Sequence, residues 1–150
     1  MAKFVYRMQN ILDVKEKLEN QASIAYSQAN QRLQEENQKL MQLFARKSSY
    51  EEQARQLVQD KIDVREIEHC RKAIESMKVL IRRQMLEVQV AEKNAEAARR
   101  RLAELMKDRK THEKLKENAF EEFKRELNAE DNKLVDELVS YTYGKEKQEE

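Results

Sequence analysis

The sequence predicts an all-α protein: a long two-helix antiparallel coiled-coil hairpin, turning near residues 59–63, with helix two longer than helix one. Three observations carry this reading. The composition holds one Gly, no Pro and no Trp in 150 residues, with 39% charged side chains, and Gln, Glu, Lys, Arg, Ala and Leu, all good helix formers, dominate it. Apolar residues recur at alternating three- and four-residue spacing over most of the chain, the signature of a coiled-coil seam. A helix-start signal then interrupts that spacing in QLVQDKIDVREIEHC, residues 56–70. Aromatics make up only 6% of the chain, enough for a seam but not for a wide interior.

The first helix is expected over about 3–58. Its seam reads Phe4, Met8, Ile11, Lys15, Leu18, Ala22, Ala25 and Ala29. It then slips by four residues and continues as Leu33, Glu36, Leu40, Leu43, Lys47, Tyr50, Ala54 and Leu57. A four-residue slip is a stutter, which locally relaxes a left-handed supercoil. The turn at about 59–63 rests on a capping box, Asp63 with Glu66 three residues on, and on a hydrophobic staple, Ile62 with Ile67. Together they mark a helix start that a continuous helix would not need.

The second helix is expected over about 64–142. From Ile67 to Leu105 nearly six heptads keep an apolar seam, with Gln84 the exception. Arg109 and His112 then interrupt it, and it resumes at Leu115, Ala119, Phe123, Leu127, Leu134, Leu138 and Tyr141. At a rise of about 1.5 Å per residue the helices run roughly 80 Å and 115 Å. Pairing outward from the turn sets Phe4 near Asn118. That leaves Phe120, Phe123, Leu127, Leu134, Val135, Leu138 and Tyr141 as an unpaired amphipathic overhang. Gly144 reads as the helix stop, with residues 143–150 a frayed tail. The whole chain, 1–150, reads as a single coiled-coil hairpin.

Charge narrows the function. Thirty basic and 29 acidic residues balance to +1, which argues against a generic nucleic-acid or membrane binder. Residues 61–115 hold 15 basic and 10 acidic side chains, and residues 116–150 hold 6 and 11. Such asymmetry suits either different partners for different stretches or two simply solvated helix faces. The three arginines Arg99–Arg101 wrap around a helix rather than forming one stripe, so no nucleic acid is expected. The first twenty residues lack a signal-peptide pattern, and no apolar run approaches a membrane span. The single cysteine, Cys70, fits a reducing compartment. His69 and Cys70 are adjacent and point apart on a helix, and His112 has no ligand partner at helical spacing, so no metal or other cofactor is expected. Without a pocket or a Gly-rich loop, neither a small-molecule substrate nor an enzyme is expected.

The opening MAKFVYRMQNILDVKEKLENQASIAYSQA resembles the start of the flagellar export protein FliJ family. The Gln/Glu-rich first helix up to Tyr50, the RKAIESMK segment and the basic run ARRRLAELMKDRKTHEKLKE extend the likeness, as do Phe120, Phe123 and the acidic DNKLVDE end. It covers essentially the whole chain, through the ordered combination rather than one motif. The resemblance implies a non-enzymatic cytosolic component of the flagellar type III export apparatus, serving flagellum biogenesis and hence motility and chemotaxis. Its hairpin would be similar to the gamma stalk of rotary ATPases. Its two termini would lie in the hexameric export ATPase FliI, whose assembly and activity it would promote. It would also reach the cytoplasmic domain of the export gate FlhA and bind export chaperones. Such a protein would be cytoplasmic and peripherally associated with the inner face of the cell membrane at the flagellar base, without inserting in it.

With the termini in the ring, the ATPase contact falls to Phe4, Val5, Tyr6, Arg7, Phe120, Phe123, Leu127, Leu134 and Leu138, although Phe4 can equally end the seam. Positions matching the family's gate-facing surface are Leu43, Tyr50, Ala73, Met77, Leu80 and Gln84. Arg46 and Ala73 depart from the larger aromatics more frequent there, and Tyr50 and Met77 also fit the seam. Two alternatives stay open: a structural coiled coil that homodimerises through an unbroken helix, and the equivalent stalk of a virulence-type secretion system.

Overall fold

The computed structural model describes residues 2–59 and 61–149, with side chains through Lys145. Two helices make up the fold, α1 (Gln9–Gln59) and α2 (Val64–Glu149), without strands among the described residues. They form an antiparallel hairpin. The expected turn includes Asp60, and the expected domain and tail reach Met1 and Glu150; those three residues lie outside the described ones.

α2 starts where the sequence signal stands, by a simpler device. Asp63 Oδ1 accepts a hydrogen bond from the Arg65 amide at 3.0 Å, two residues on, rather than from Glu66. Its carbonyl accepts the first helical bond, from Ile67 N at 3.1 Å. This is an N-cap, but the reciprocal half of the expected capping box, from Glu66, is absent from the described hydrogen bonds. Ile62 is 67% exposed, so the expected staple to Ile67 does not shield it.

Three other expectations are corrected. α1 begins at Gln9, not near residue 3. Phe4, Val5 and Tyr6 are poor helix formers, and Phe4 is drawn across to aromatic rings of α2. The stop at Gly144 does not occur, and α2 continues to Glu149. A glycine stop needs a positive φ, and Gly144 has none.

The third correction concerns the seam. The stutter is absent. Leu12, Lys15, Glu19, Ala22, Tyr26, Ala29, Leu33 and Glu36 are all buried or half-buried, in unbroken three–four alternation, and the pattern runs on to Leu57. Met8 and Ile11 are exposed, and Tyr26 takes the place expected of Ala25. On α2 the alternation likewise passes through Arg109, His112 and Lys116 to Phe123, while Leu115 is 46% exposed.

The chain divides into two compact units. In the first, Asn20–Glu104, the core is Ala22, Cys70, Ile81, Val88, Ala91 and Ala95. The second comprises Met1–Glu19 and Leu105–Glu150, with Leu12 its most buried side chain at 2% exposure.

Candidate functional site

The polar residues that seemed to interrupt the seam find partners within it. In the Asn20–Glu104 unit Glu36, 3% exposed, accepts a hydrogen bond from Gln84 Nε2 at 2.5 Å. The same nitrogen also donates to the Glu36 carbonyl at 2.8 Å. Arg32 and Lys39 approach the carboxylate at 3.1 and 3.5 Å. The Gln84 hydrogen bond, with the two cations, holds the Glu36 carboxyl below the usual carboxylate range.

In the other unit Lys15 Nζ meets Asp108 at 2.6 Å, and its hydrogen bond lowers the Asp108 pKa. Arg109 bridges Glu19, on α1, and Glu113, on its own helix. Both carboxylates, Glu19 first, raise the pKa of Arg109. His112 Nε2 lies 3.7 Å from Asp108, and its buried Nδ1 has no partner. The Lys15–Asp108 and Glu19–Arg109 pairs tie the start of α1 to α2 in one register.

That register settles the fate of the expected overhang. Phe4 packs edge-on against Phe120, ring centroids 5.1 Å apart, and tilted against Phe123 at 5.4 Å. The Lys124 ammonium lies over the Phe120 ring, 4.7 Å from its centre. Phe120 and Phe123 are therefore not free, contrary to expectation: Phe4 sits two to five residues beyond its expected neighbour Asn118. The unpaired stretch begins after Phe123, and every residue from Lys124 to Lys145 is exposed. Leu127, Leu134, Leu138 and Tyr141, exposed by 36, 57, 65 and 70%, recur at seven, four and three residues. They share one helix face. Val135 and Val139 widen it, each 56% exposed.

The remaining expected ATPase contacts divide. Val5 and Arg7 are exposed, while Tyr6 is half-buried with an unpartnered hydroxyl. Among the expected gate positions, Leu43, Tyr50, Ala73 and Met77 are half-buried in or beside the seam, and Leu80 is 38% exposed. Gln84 is committed to Glu36. The sequence reading missed Val79, Leu86 and Val90 on α2, exposed by 46, 61 and 54%. Their signal was available: they stand at the heptad positions farthest from the seam, where a solvated helix carries polar residues.

No described group of three or more His, Cys, Asp or Glu residues is placed to hold a metal ion. No described helix is long and apolar enough to cross a membrane. The concavity beside the turn, lined by residues such as Leu57, Arg65, His69 and Cys70, is open to solvent. The surface thus offers exposed helix faces, which suit protein partners.

Comparison with known proteins agrees with this form. No curated protein and no solved structure matches the chain. A family model described as flagellar FliJ protein matches residues 4–148, nearly the whole sequence. The chain belongs to the flagellar FliJ protein family, and with it to the components of the flagellar protein export apparatus.

Proposed function

We propose that this chain is the non-enzymatic stalk of the export apparatus. It enters the central hole of the FliI hexamer, promotes ring assembly and ATP turnover, and links the ring to the cytoplasmic domain of the FlhA gate and to export chaperones. One observation carries the proposal: α2 continues past Phe123 as an exposed helix with Leu127, Leu134 and Leu138 on one face, and such a face is stable only against another surface. An asymmetric hairpin in a six-fold ring makes unlike contacts with like subunits, and so biases their nucleotide sites apart.

Within the contact, Leu127, Leu134, Leu138, Val5 and Arg7 face the ring. Phe4, Phe120 and Phe123 brace the end from which that face projects, and Tyr6 stands beside them. The gate-facing surface then draws on Leu80 and the exposed edges of Leu43, Tyr50, Ala73 and Met77, with Gln84 holding α1 and α2 together beneath it. The protein works in the cytoplasm, at the inner face of the cell membrane at the flagellar base.

The test is ATP turnover and ring assembly of purified FliI as the full chain is added. A truncation after Arg125 serves as control, since it removes the face and keeps the Phe4 cluster. Stimulation and ring formation by the full chain, lost in the truncation, support the stalk. A well-folded full chain without effect on either refutes it.

A further inference from the structure

The exposed leucines of α2 are the far part of a longer apolar stripe. Phe120, Phe123, Leu127, Leu134, Leu138 and Tyr141 recur at three, four, seven, four and three residues. At about 3.6 residues per turn they fall within about 60° of one another around the helix. The last four are exposed. The first two lie against Phe4, with ring centroids 5.1 and 5.4 Å away. Under it Phe123 is half-buried and Phe120 is 38% exposed. Residues 2–8 thus cover the near end of the same stripe whose far end is open.

Little holds this cover in place. Residues 2–8 are non-helical, and only Phe4 and Tyr6 among them are half-buried; the others are exposed. Among the described residues, no hydrogen bond or ion pair joins them to α2. Nor does a local device fix where α1 begins. Met8, whose carbonyl accepts the first helical bonds at 3.1 Å, has no capping side chain. The first turn of α1 holds no acidic residue, so the helix dipole adds no anchor either. One group works against the closed position. The Tyr6 hydroxyl is buried without a hydrogen-bond partner. It regains water when the segment lifts, so closure carries a desolvation penalty that opening removes.

We propose that residues 2–8 are a displaceable strap over the apolar stripe of α2. Closed, with Phe4 on both rings, it ends the exposed face at Leu127. Open, it releases Phe120 and Phe123 and lengthens that face by seven residues, about 10 Å at about 1.5 Å per residue. A partner seated on Leu127 and Leu134 gains area when the strap opens, and so favours the open form. This consequence rests on the FliI reading above. The strap is then an autoinhibitory contact: the free chain withholds part of its ring-facing surface, and its apparent affinity falls by the fraction of chains that are open.

The experiment reads the strap first without a partner, on the full chain. The Gln9 amide donates to the Tyr6 carbonyl at 3.2 Å, so its hydrogen exchange reports whether the segment is in place. Tyr6→Phe keeps the ring and removes the orphaned hydroxyl. It is expected to slow exchange at Gln9 at least about 5-fold, whereas Phe4→Ala speeds it. Circular dichroism confirms the fold of both variants. Incorporated 4-fluorophenylalanine gives each phenylalanine a fluorine signal. Broadening by a soluble paramagnetic agent grows at Phe120, and above all at Phe123, in Phe4→Ala, and shrinks there in Tyr6→Phe. Phe44, 42% exposed on α1, stays unchanged as the reference. With purified FliI, the chain concentration for half-maximal stimulation of ATP turnover falls in Phe4→Ala and rises in Tyr6→Phe. Wild-type exchange at Gln9 in Tyr6→Phe, or fluorine signals of Phe120 and Phe123 unmoved by Phe4→Ala, overturns the strap. So do two variants that need the same FliI-stimulating concentration as the wild type. A wild-type chain without effect on FliI refutes the stalk instead, and the readouts without a partner still decide the strap.

Discussion

Phe4→Ala is expected to release the N-terminal segment from α2 without loosening the rest of the hairpin. Phe4 is the one residue of the non-helical segment that meets two rings, Phe120 at 5.1 Å and Phe123 at 5.4 Å. Each aromatic pair contributes about 0.5–1.5 kcal/mol beyond area burial, so losing both costs about 1–3 kcal/mol. The segment behind Phe4 has little else to hold it. Its backbone links to α1 are Gln9 N to the Tyr6 carbonyl at 3.2 Å, and Ile11 N and Leu12 N to the Met8 carbonyl at 3.1 Å. If the loss appears as local opening, amide hydrogen exchange at residues 9–12 accelerates about 5- to 150-fold, at about 1.4 kcal/mol per factor of ten. Exchange around Ile81 and Val88 stays unchanged. The double variant with Phe123→Ala loses less than the sum of the singles, because both remove the same contact. Unchanged exchange at residues 9–12, or acceleration spread evenly along both helices, refutes a local aromatic clip.

Three further outcomes follow from the polar seam and the caps. Gln84→Leu strands the buried Glu36 carboxylate and lowers the urea midpoint, whereas Gln84→Leu with Glu36→Leu recovers much of it, because an apolar pair replaces a desolvated charge; a double variant less stable than Gln84→Leu would count against this. Glu96 is lowered from the ordinary 4.5 to about 2, first by its hydrogen bond from Arg99 and then by Arg100. A carboxyl depressed on folding contributes above its unfolded pKa and loses that contribution as pH falls through the folded one. Glu36 and Asp108 shift in the same direction, so stability declines between about pH 4.5 and 2. Glu96→Gln flattens part of that decline in an acid titration of helicity, by a small amount because the site is exposed and salt-screened. Asp63→Ala removes the bond to Arg65 and costs about 1 kcal/mol, read as a lower denaturant midpoint with an unchanged slope.

Much of the hairpin was legible because its signals are local. The start of α2 rests on one side chain, Asp63, and the cleanest heptads, from Ile67 to Leu105, contain the largest share of small and aliphatic residues. The start of α1 was harder, because apolarity misleads there. Ala25, Met8 and Ile11 look like seam residues. Beside the expected Lys15 the helix packs Tyr26 and Glu19 inward, and the partners of Lys15 and Glu19, Asp108 and Arg109, sit on α2, some ninety residues away. A rule that scores apolar residues on one strand cannot see a charge satisfied from the other. The stutter was an artefact of that rule. Phe120 and Phe123 were placed in the overhang for a related reason: a register counted from the turn errs by a few residues at the far end, and a few residues decide whether Phe4 reaches them. The leucines at 127, 134 and 138 needed no register, only spacing. The gate-facing positions remain the least legible, since half-buried side chains such as Tyr50 and Met77 serve packing and recognition alike.

The paired charges near the start of α1 also set a length. A slip of one heptad would bring Lys15 from Asp108 to Leu115 in one direction and to Arg101 in the other. It would carry Phe4 away from both rings. Each alternative strands a charge, so the slipped registers are penalised at several places at once. Each heptad of slip would change the projection of α2 by roughly 10 Å at about 1.5 Å per residue. The seam therefore acts as a gauge block: it sets how far the exposed leucines stand from the last braced residue, and any socket they enter must be cut to that depth.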